Sequence, residues 1–316
     1  MGTATKVPQS RTMSGEELSA DDAWHTLRHT GAGQLLRDAF LRFRYSDGFT
    51  NSRALAFQIF LTTIPGMIAL VGISASVHQR QLAQVLQEIM LRLTPGTGRQ
   101  LVEDALSSGR RVGEGSRLAV IFGGVTAFAS LVTAMGQIER AANRIYGVER
   151  DRPFHRKYGR AMLMAVTAGS TMIAGFVILV AGREFGEACA RVYHWPSVTT
   201  TLWSYGRWPL GLLMALVSAS VLFRSAPRRR QPGYSWLAVG GGLALALWLL
   251  FSWLLVQYVE RASSFGSTYG PLTGVVALLL WSLLSSMALF FGIAFSAQLE
   301  ACRTLKGEPV KNDPGA

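Results

Sequence analysis

The chain has 316 residues, of which 49% are hydrophobic and only 16% charged, with a formal net charge of +12. That composition is too apolar and too charge-poor for an ordinary soluble domain of this length. With two cysteines a disulfide-stapled secreted scaffold is excluded as well.

Residues 1–20 are polar and mixed in charge, and read as a disordered tail. Trp24, Leu27, Leu35, Leu36, Phe40 and Phe43 then recur at near-helical spacing among Arg28, Arg37, Arg42 and Arg44. This is the pattern of an amphipathic helix, which can lie on the membrane surface or pack on a helical bundle.

Six apolar stretches follow, at Ala54–Val77, Leu118–Ile138, Ala161–Gly182, Trp208–Phe223, Ser235–Val259 and Pro271–Leu299. A spanning helix needs about 20 apolar residues, and in lipid only helices or closed barrels satisfy their own backbone. None of the six carries a charge near its middle. The expected fold is therefore all-α, one six-helix membrane domain over residues 21–306, with a second disordered tail over 307–316. The fourth stretch is short and can recruit Trp203–Arg207.

Among the linkers, Leu82, Val85, Leu86, Ile89, Met90 and Leu93 predict an amphipathic helix stopped by Thr94-Pro95-Gly96, with a shorter helix over Arg99–Ser107. Tyr193, Trp195, Trp203 and Tyr205 suit the headgroup interface. No internal repeat is visible.

Lys and Arg alternate from linker to linker. Of 31 in total, 21 fall on the side of both termini and 10 on the other. The positive-inside rule then puts both termini in the cytoplasm, with the first span as an uncleaved anchor. Cys189 would face outward and Cys302 inward, so they would not pair. The basic runs Arg150–Arg160 and Arg228-Arg229-Arg230 flank spans, where anionic lipid headgroups are the expected partner and nucleic acid is not. Arg outnumbers Lys by 27 to 4, the bias of a high-GC bacterial genome.

Two places concentrate polar groups. Pro65 interrupts the first span beside Gln58, Thr62 and Thr63, freeing carbonyls that can line a wet groove. Gly266, Gly270 and Gly274 leave room at the entrance of the sixth span, so Gln58, Thr62, Pro65, Tyr269 and Gly270 form a candidate cavity lining. The other place is the end of the second span, Gln137 to Gly147, where Glu139, Asn143 and Tyr146 share a helical face with Arg140 and Arg144 beside it. Glu139, Arg140, Asn143 and Tyr146 are the candidate cytoplasmic polar cluster, Glu139 being read as a solvated carboxylate.

Ala142-Asn143-Arg144-Ile145-Tyr146-Gly147 with its basic linker resembles the cytoplasmic end of the second helix in the YihY/virulence factor BrkB family. Thr268-Tyr269-Gly270-Pro271-Leu272, Leu280-Trp281 and Phe290-Phe291-Gly292 resemble that family's last helix, and Pro65 fits its first. The likeness spans about Arg37 to Arg303. It implies six helices with cytoplasmic termini in the inner membrane, and export or flipping of an amphiphile as a theme. This chain departs from the pattern at Phe57, Gln58 and Thr62, and at Ala294, where the family commonly has Glu.

The ribonuclease label that the family has carried finds no support in the residues. The five histidines fall in linkers; His25 and His29 have helical spacing but, despite Asp21 and Asp22, no nearby Cys or Asp/Glu combination that resembles a known metal site, and there is neither a nucleophile elbow nor a phosphate-binding loop. The expectation is a non-enzymatic transporter or lipid-handling protein without cofactor or metal, whose substrate, small molecule or lipid, is unknown. The alternative is a non-transporting scaffold for envelope proteins.

Overall fold

In the computed structural model, residues 7–10, 19–76, 113–261, 272–304 and 307–310 are described. Among them every regular element is helical. In chain order these are α1 (Ala20–Thr30), α2 (Ala32–Tyr45), α3 (Gly48–Ser76), α4 (Gly113–Ile145), α5 (Phe154–Met164), α6 (Ser170–Tyr193), α7 (Ser197–Ser225), α8 (Tyr234–Arg261) and α9 (Thr273–Arg303). A π-helical turn, Ala165–Gly169, joins α5 to α6, and its Ala168 carbonyl accepts from Ser218 Oγ at 2.6 Å.

Five helical segments are long and apolar enough to cross a membrane, at Ile121–Ile145, Phe154–Leu179, Ser197–Ser225, Tyr234–Arg261 and Thr273–Arg303. They match the second to sixth predicted spans, each helix running beyond its apolar stretch. The fourth gains most, because α7 starts at Ser197 and continues through Pro209. The first span falls on α3, a 29-residue helix that runs through Pro65. Many side chains of its second half, and the predicted linker helices over Leu82–Leu93 and Arg99–Ser107, lie outside the described residues. Phe122 and Trp253 are 69% and 57% exposed, as side chains facing lipid would be.

The chain divides into two compact units. One comprises Met1–Phe60, Val132–Gly169 and Leu216–Ala316, and is called here the terminal unit. In it α8 packs along α9, α2 lies on α9, and α1 touches both. The α8–α9 crossing is close because two glycines meet there. A Cβ on Gly292 would stand 2.7 Å from the Gly240 carbonyl and 2.6 Å from Ala244 Cβ. A Cβ on Gly240 would collide with Ser296 Oγ. The last turns of α9, from Gly292 to Ala301, are buried on every side. α1 begins with a capping box between Ser19 and Asp22, and Gly31, at φ 84°, turns the chain into α2. Leu35, Ala39 and Phe43 then face inward, whereas Trp24, Leu36 and Phe40 are exposed.

The other unit comprises Leu61–Leu131 and Ser170–Ala215. Its α6–α7 hairpin is drawn together at Gly175 and Gly211, where an added Cβ would meet the opposite glycine carbonyl at 3.1 Å. Trp203 donates to the Gly182 carbonyl at 2.6 Å and its ring lies over Gly186. Cys189 is buried nearby, and it and Cys302 are both free thiols.

Candidate functional site

The densest polar chemistry lies in the terminal unit, at the end of α4. That helix closes with the hydrogen bonds that a left-handed glycine permits. Gly147, at φ 72°, donates to the Arg144 carbonyl at 3.0 Å, and Val148 to the Asn143 carbonyl at 2.8 Å. A side chain is excluded from Gly147 for a second reason, since Gln9 backbone atoms stand 2.7 Å from where its Cβ would be.

Asn143 is 1% exposed and ties two linkers together. Its Nδ2 donates to Asp151 Oδ1 at 2.9 Å, and its Oδ1 accepts from the Arg228 backbone N–H at 2.7 Å. Arg228 returns the contact, donating Nη1 to the Asp151 carbonyl at 2.9 Å. Arg152 donates to the Ala226 and Pro227 carbonyls at 3.0 Å each. Asp151 also pairs with Lys157 at 3.1 Å and with Arg140 at 3.6 Å. Burial alone would raise the Asp151 carboxyl, but the bonds from Asn143 and Lys157 and the nearby positive charges outweigh it and hold it below its ordinary value of 3.8.

Glu139 is fully buried, not solvated as its place at a helix end implied. Its carboxylate stands 3.0 Å from Arg152 Nη1. Arg140 is its opposite, with half its side chain in solvent. Tyr146 is fully buried beneath the Arg229 guanidinium, 4.7 Å from the ring centroid. Arg229 is also paired with Glu300, itself 1% exposed. The Tyr146 hydroxyl faces the Gln231 side chain without reaching hydrogen-bond geometry, and burial raises its pKa, with the Glu300 charge adding to the rise.

Arg42 of α2 lies beside this group with no exposure at all. Its Nε donates to Gln298 Oε1 at 2.9 Å, and its Nη1 donates to Ser10 Oγ at 3.2 Å and to the Ile145 carbonyl at 3.1 Å. Burial pulls its guanidinium below the usual range, to about 10, so it stays charged at neutral pH. Ser10 further donates its N–H to the Tyr146 carbonyl at 3.2 Å, and Val7 is fully buried. The segment Val7–Ser10 is thus a strap across the end of α4.

All four members of the predicted polar cluster belong to the terminal unit, with Glu139, Asn143 and Tyr146 buried and Arg140 at the rim. Gln58, Thr62 and Pro65 are half-buried along α3, and Gln58 and Thr62 each engage a neighbour. Tyr269 and Gly270 lie outside the described residues. Sequence reasoning missed Ser10, Asp151, Arg152, Arg229 and Glu300, and placed Arg42 only on an amphipathic pattern. A signal for Arg42 existed, since it falls three residues after Ala39 and seven after Leu35, on the face that α2 buries.

The virulence factor BrkB family matches residues 39–314, nearly the whole of this arrangement. The chain belongs to that family. It is 24% identical over 273 residues to YfkH of Bacillus subtilis, a protein named as ribonuclease-like, covering 86% of this chain and 98% of that one. It is 24% identical over 268 residues to a UPF0761 membrane protein of Bordetella petrii, covering 83% of this chain and 57% of the relative. A third relative, a UPF0761 membrane protein of Alteromonas mediterranea, is 28% identical over 199 residues, 62% of this chain and 65% of its own. The chain thus spans less than two thirds of the length of these last two. No solved structure matches it.

Proposed function

We propose that this protein of a bacterial inner membrane, with both termini on the cytoplasmic side, moves or rearranges an amphiphile with no enzymatic step. The observation that carries the reading is the polar side of α9. The Ser282, Ser285 and Ser296 hydroxyls are buried without hydrogen-bond partners, and the same helix continues into buried Gln298 and Glu300. An unsatisfied polar group in an apolar span is costly, and an intramembrane ionisable residue marks a pathway more often than a packing device. A route for a headgroup along α9, ending at Glu300, Arg229 and Arg42, accounts for polar groups that packing alone would replace with alanine. The cytoplasmic placement rests on the 21-to-10 charge asymmetry, which also makes anionic headgroups the expected partners of the Arg150–Arg160 and Arg228–Arg230 surfaces.

Reconstitution tests the reading directly. Liposomes containing a fluorescently tagged phosphatidylglycerol protect the inner-leaflet half of the signal from an impermeant quencher. Vesicles carrying the protein should lose that protection, and a variant with Glu300→Gln should lose it more slowly. Protection equal to that of empty vesicles at several protein densities argues against lipid movement. As a non-enzyme the purified chain should also leave labelled RNA intact, and steady cleavage that co-purifies with it through two columns would reverse that part of the proposal.

A further inference from the structure

Arg42 differs from the other buried cations of the terminal unit. Arg229 has Glu300, Arg152 has Glu139 and Lys157 has Asp151, whereas the three acceptors bonded to Arg42 are neutral: Gln298 Oε1, the Ser10 hydroxyl and the Ile145 carbonyl. Among the described residues Arg42 makes no ion pair; the nearby Glu300 carboxylate favours its charged form but is paired with Arg229 through Oε1, its Oε2 having no hydrogen bond. A guanidinium withdrawn from water normally recovers its lost hydration through an anion, and its planar fork suits a phosphate or carboxylate. The Tyr146 hydroxyl near it is buried without a hydrogen bond in good geometry, and so is the amide of Gln231, the side chain that this hydroxyl faces. A guanidinium fork with spare donors in its neighbourhood suits a phosphate, with several exposed oxygens, better than a carboxylate with two. Of the two acceptors bonded to Arg42 Nη1, Ser10 Oγ, carried by the Val7–Ser10 strap, is the one that a small local movement can remove.

We infer that Arg42, with Tyr146 and Gln231, forms a site for a phosphate group, and that Ser10 of the N-terminal strap occupies the phosphate's place when the site is closed. The inference rests on the amphiphile reading for where the phosphate comes from, a lipid phosphodiester or free inorganic phosphate. Binding is measured without movement, so a protein that binds but does not transport sinks the earlier reading and leaves this one standing.

The test uses the full-length chain, delipidated in a neutral detergent at 0.3 M NaCl to screen the basic surface. Its thermal midpoint is followed during titration with dioleoylphosphatidylglycerol, with phosphate-free dioleoylglycerol, and with inorganic phosphate. The phosphatidylglycerol arm should raise the midpoint and the dioleoylglycerol arm should not. A matching rise with inorganic phosphate assigns the site to free phosphate, and its absence assigns it to the lipid. Ser10→Asp supplies a carboxylate to Arg42 from within the chain, so it should raise the midpoint without ligand and weaken the apparent affinity at least tenfold. Ser10→Ala should leave the response intact or strengthen it, and Arg42→Gln should abolish it. Should Arg42→Gln fail to fold, Ser10→Asp still decides. A Ser10→Asp chain that responds like the unaltered protein would mean that the lipid binds elsewhere, and the site would be withdrawn, as it would if phosphatidylglycerol and inorganic phosphate both left the unaltered chain unmoved.

Discussion

Replacing Asn143 with leucine preserves most of the side-chain volume and removes both of its linker contacts. One is a bond to a carboxylate, Nδ2 to Asp151 at 2.9 Å; the other is the acceptor for the Arg228 N–H at 2.7 Å. A hydrogen bond to a charged group contributes about 1.5–3 kcal/mol, and a backbone donor left without a partner costs about 1–3 kcal/mol. The gain from a buried leucine is small where the neighbours are Asp151 and Arg228, so the net loss should be about 2–4 kcal/mol. Unfolding in mixed micelles by increasing mole fraction of dodecyl sulfate, followed by tryptophan fluorescence, reads this as an earlier midpoint with unchanged slope. Asn143→Asp separates the two bonds, because the Arg228 N–H keeps its acceptor while a carboxylate now faces the Asp151 carboxylate. That variant should be strongly destabilised at pH 7 and recover as the pH falls and one of the pair takes up a proton. If Asn143→Leu unfolds within about 0.5 kcal/mol of the unaltered chain, the α4 end is solvated in the membrane-embedded protein and the polar knot does not hold the linkers.

Arg152→Gln leaves Glu139 as a buried charge without its cation and should cost about 3–5 kcal/mol in the same assay, whereas the exposed Arg140→Gln should cost under about 1 kcal/mol. Gly240→Leu, which drives a side chain into Ser296 and the Gly292 carbonyl, should abolish the native fold, judged by loss of a monodisperse peak in size-exclusion chromatography. Asp151 and Asp22 are held below 3.8 in the folded chain, Asp22 chiefly by the Ser19 N–H and hydroxyl with Arg303 behind them. A depressed carboxylate stabilises above its unfolded pKa, so stability should be level from neutral pH to about 5 and fall below about 4, and Asp151→Asn should flatten that fall. For topology, Cys189 is 3% exposed and a poor target, so the test places Thr199→Cys and Glu149→Cys singly in a Cys302→Ser chain. An impermeant maleimide in cells with a permeabilised outer layer should label the first and not the second, and the reverse pattern would invert the orientation.

Five of six spans were legible because lipid demands a long apolar run and leaves little room for alternatives. Their ends were not. α4 continues seven residues beyond Ile138, to Ile145, through Glu139, Arg140, Asn143 and Arg144, because those polar side chains find partners in the linkers instead of ending the helix. The helical face joining Glu139, Asn143 and Tyr146 was also readable, since it depends only on spacing. Its partners were not, because Ser10, Arg42, Arg152, Arg228 and Glu300 come from five separate stretches and no local pattern joins them. Arg228-Arg229-Arg230 shows the limit most clearly. Read as a run for lipid headgroups, it sends the Arg228 backbone to Asn143 and the Arg229 side chain to Glu300 and Tyr146.

The terminal unit also indicates which of its parts can move. The α4–α5 and α7–α8 linkers are joined by Asn143, by two bonds from Arg152 to backbone carbonyls and by the return bond of Arg228, so separating them breaks several charge-assisted contacts at once. The strap is held at its described end by one neutral acceptor at Arg42 and one backbone bond to Tyr146, plus the burial of Val7. The backbone bond contributes about 1 kcal/mol and the bond from the Arg42 guanidinium about 1.5–3 kcal/mol, so the strap rests on one charged contact where the knot has several. Any opening at this end should therefore begin with the strap leaving Arg42, and the linkers should follow as one body if they move at all. An inert knot beside a weakly held strap is the arrangement a ligand can exploit, because an anion need outbid only Ser10 and the packing of Val7 to shift the balance.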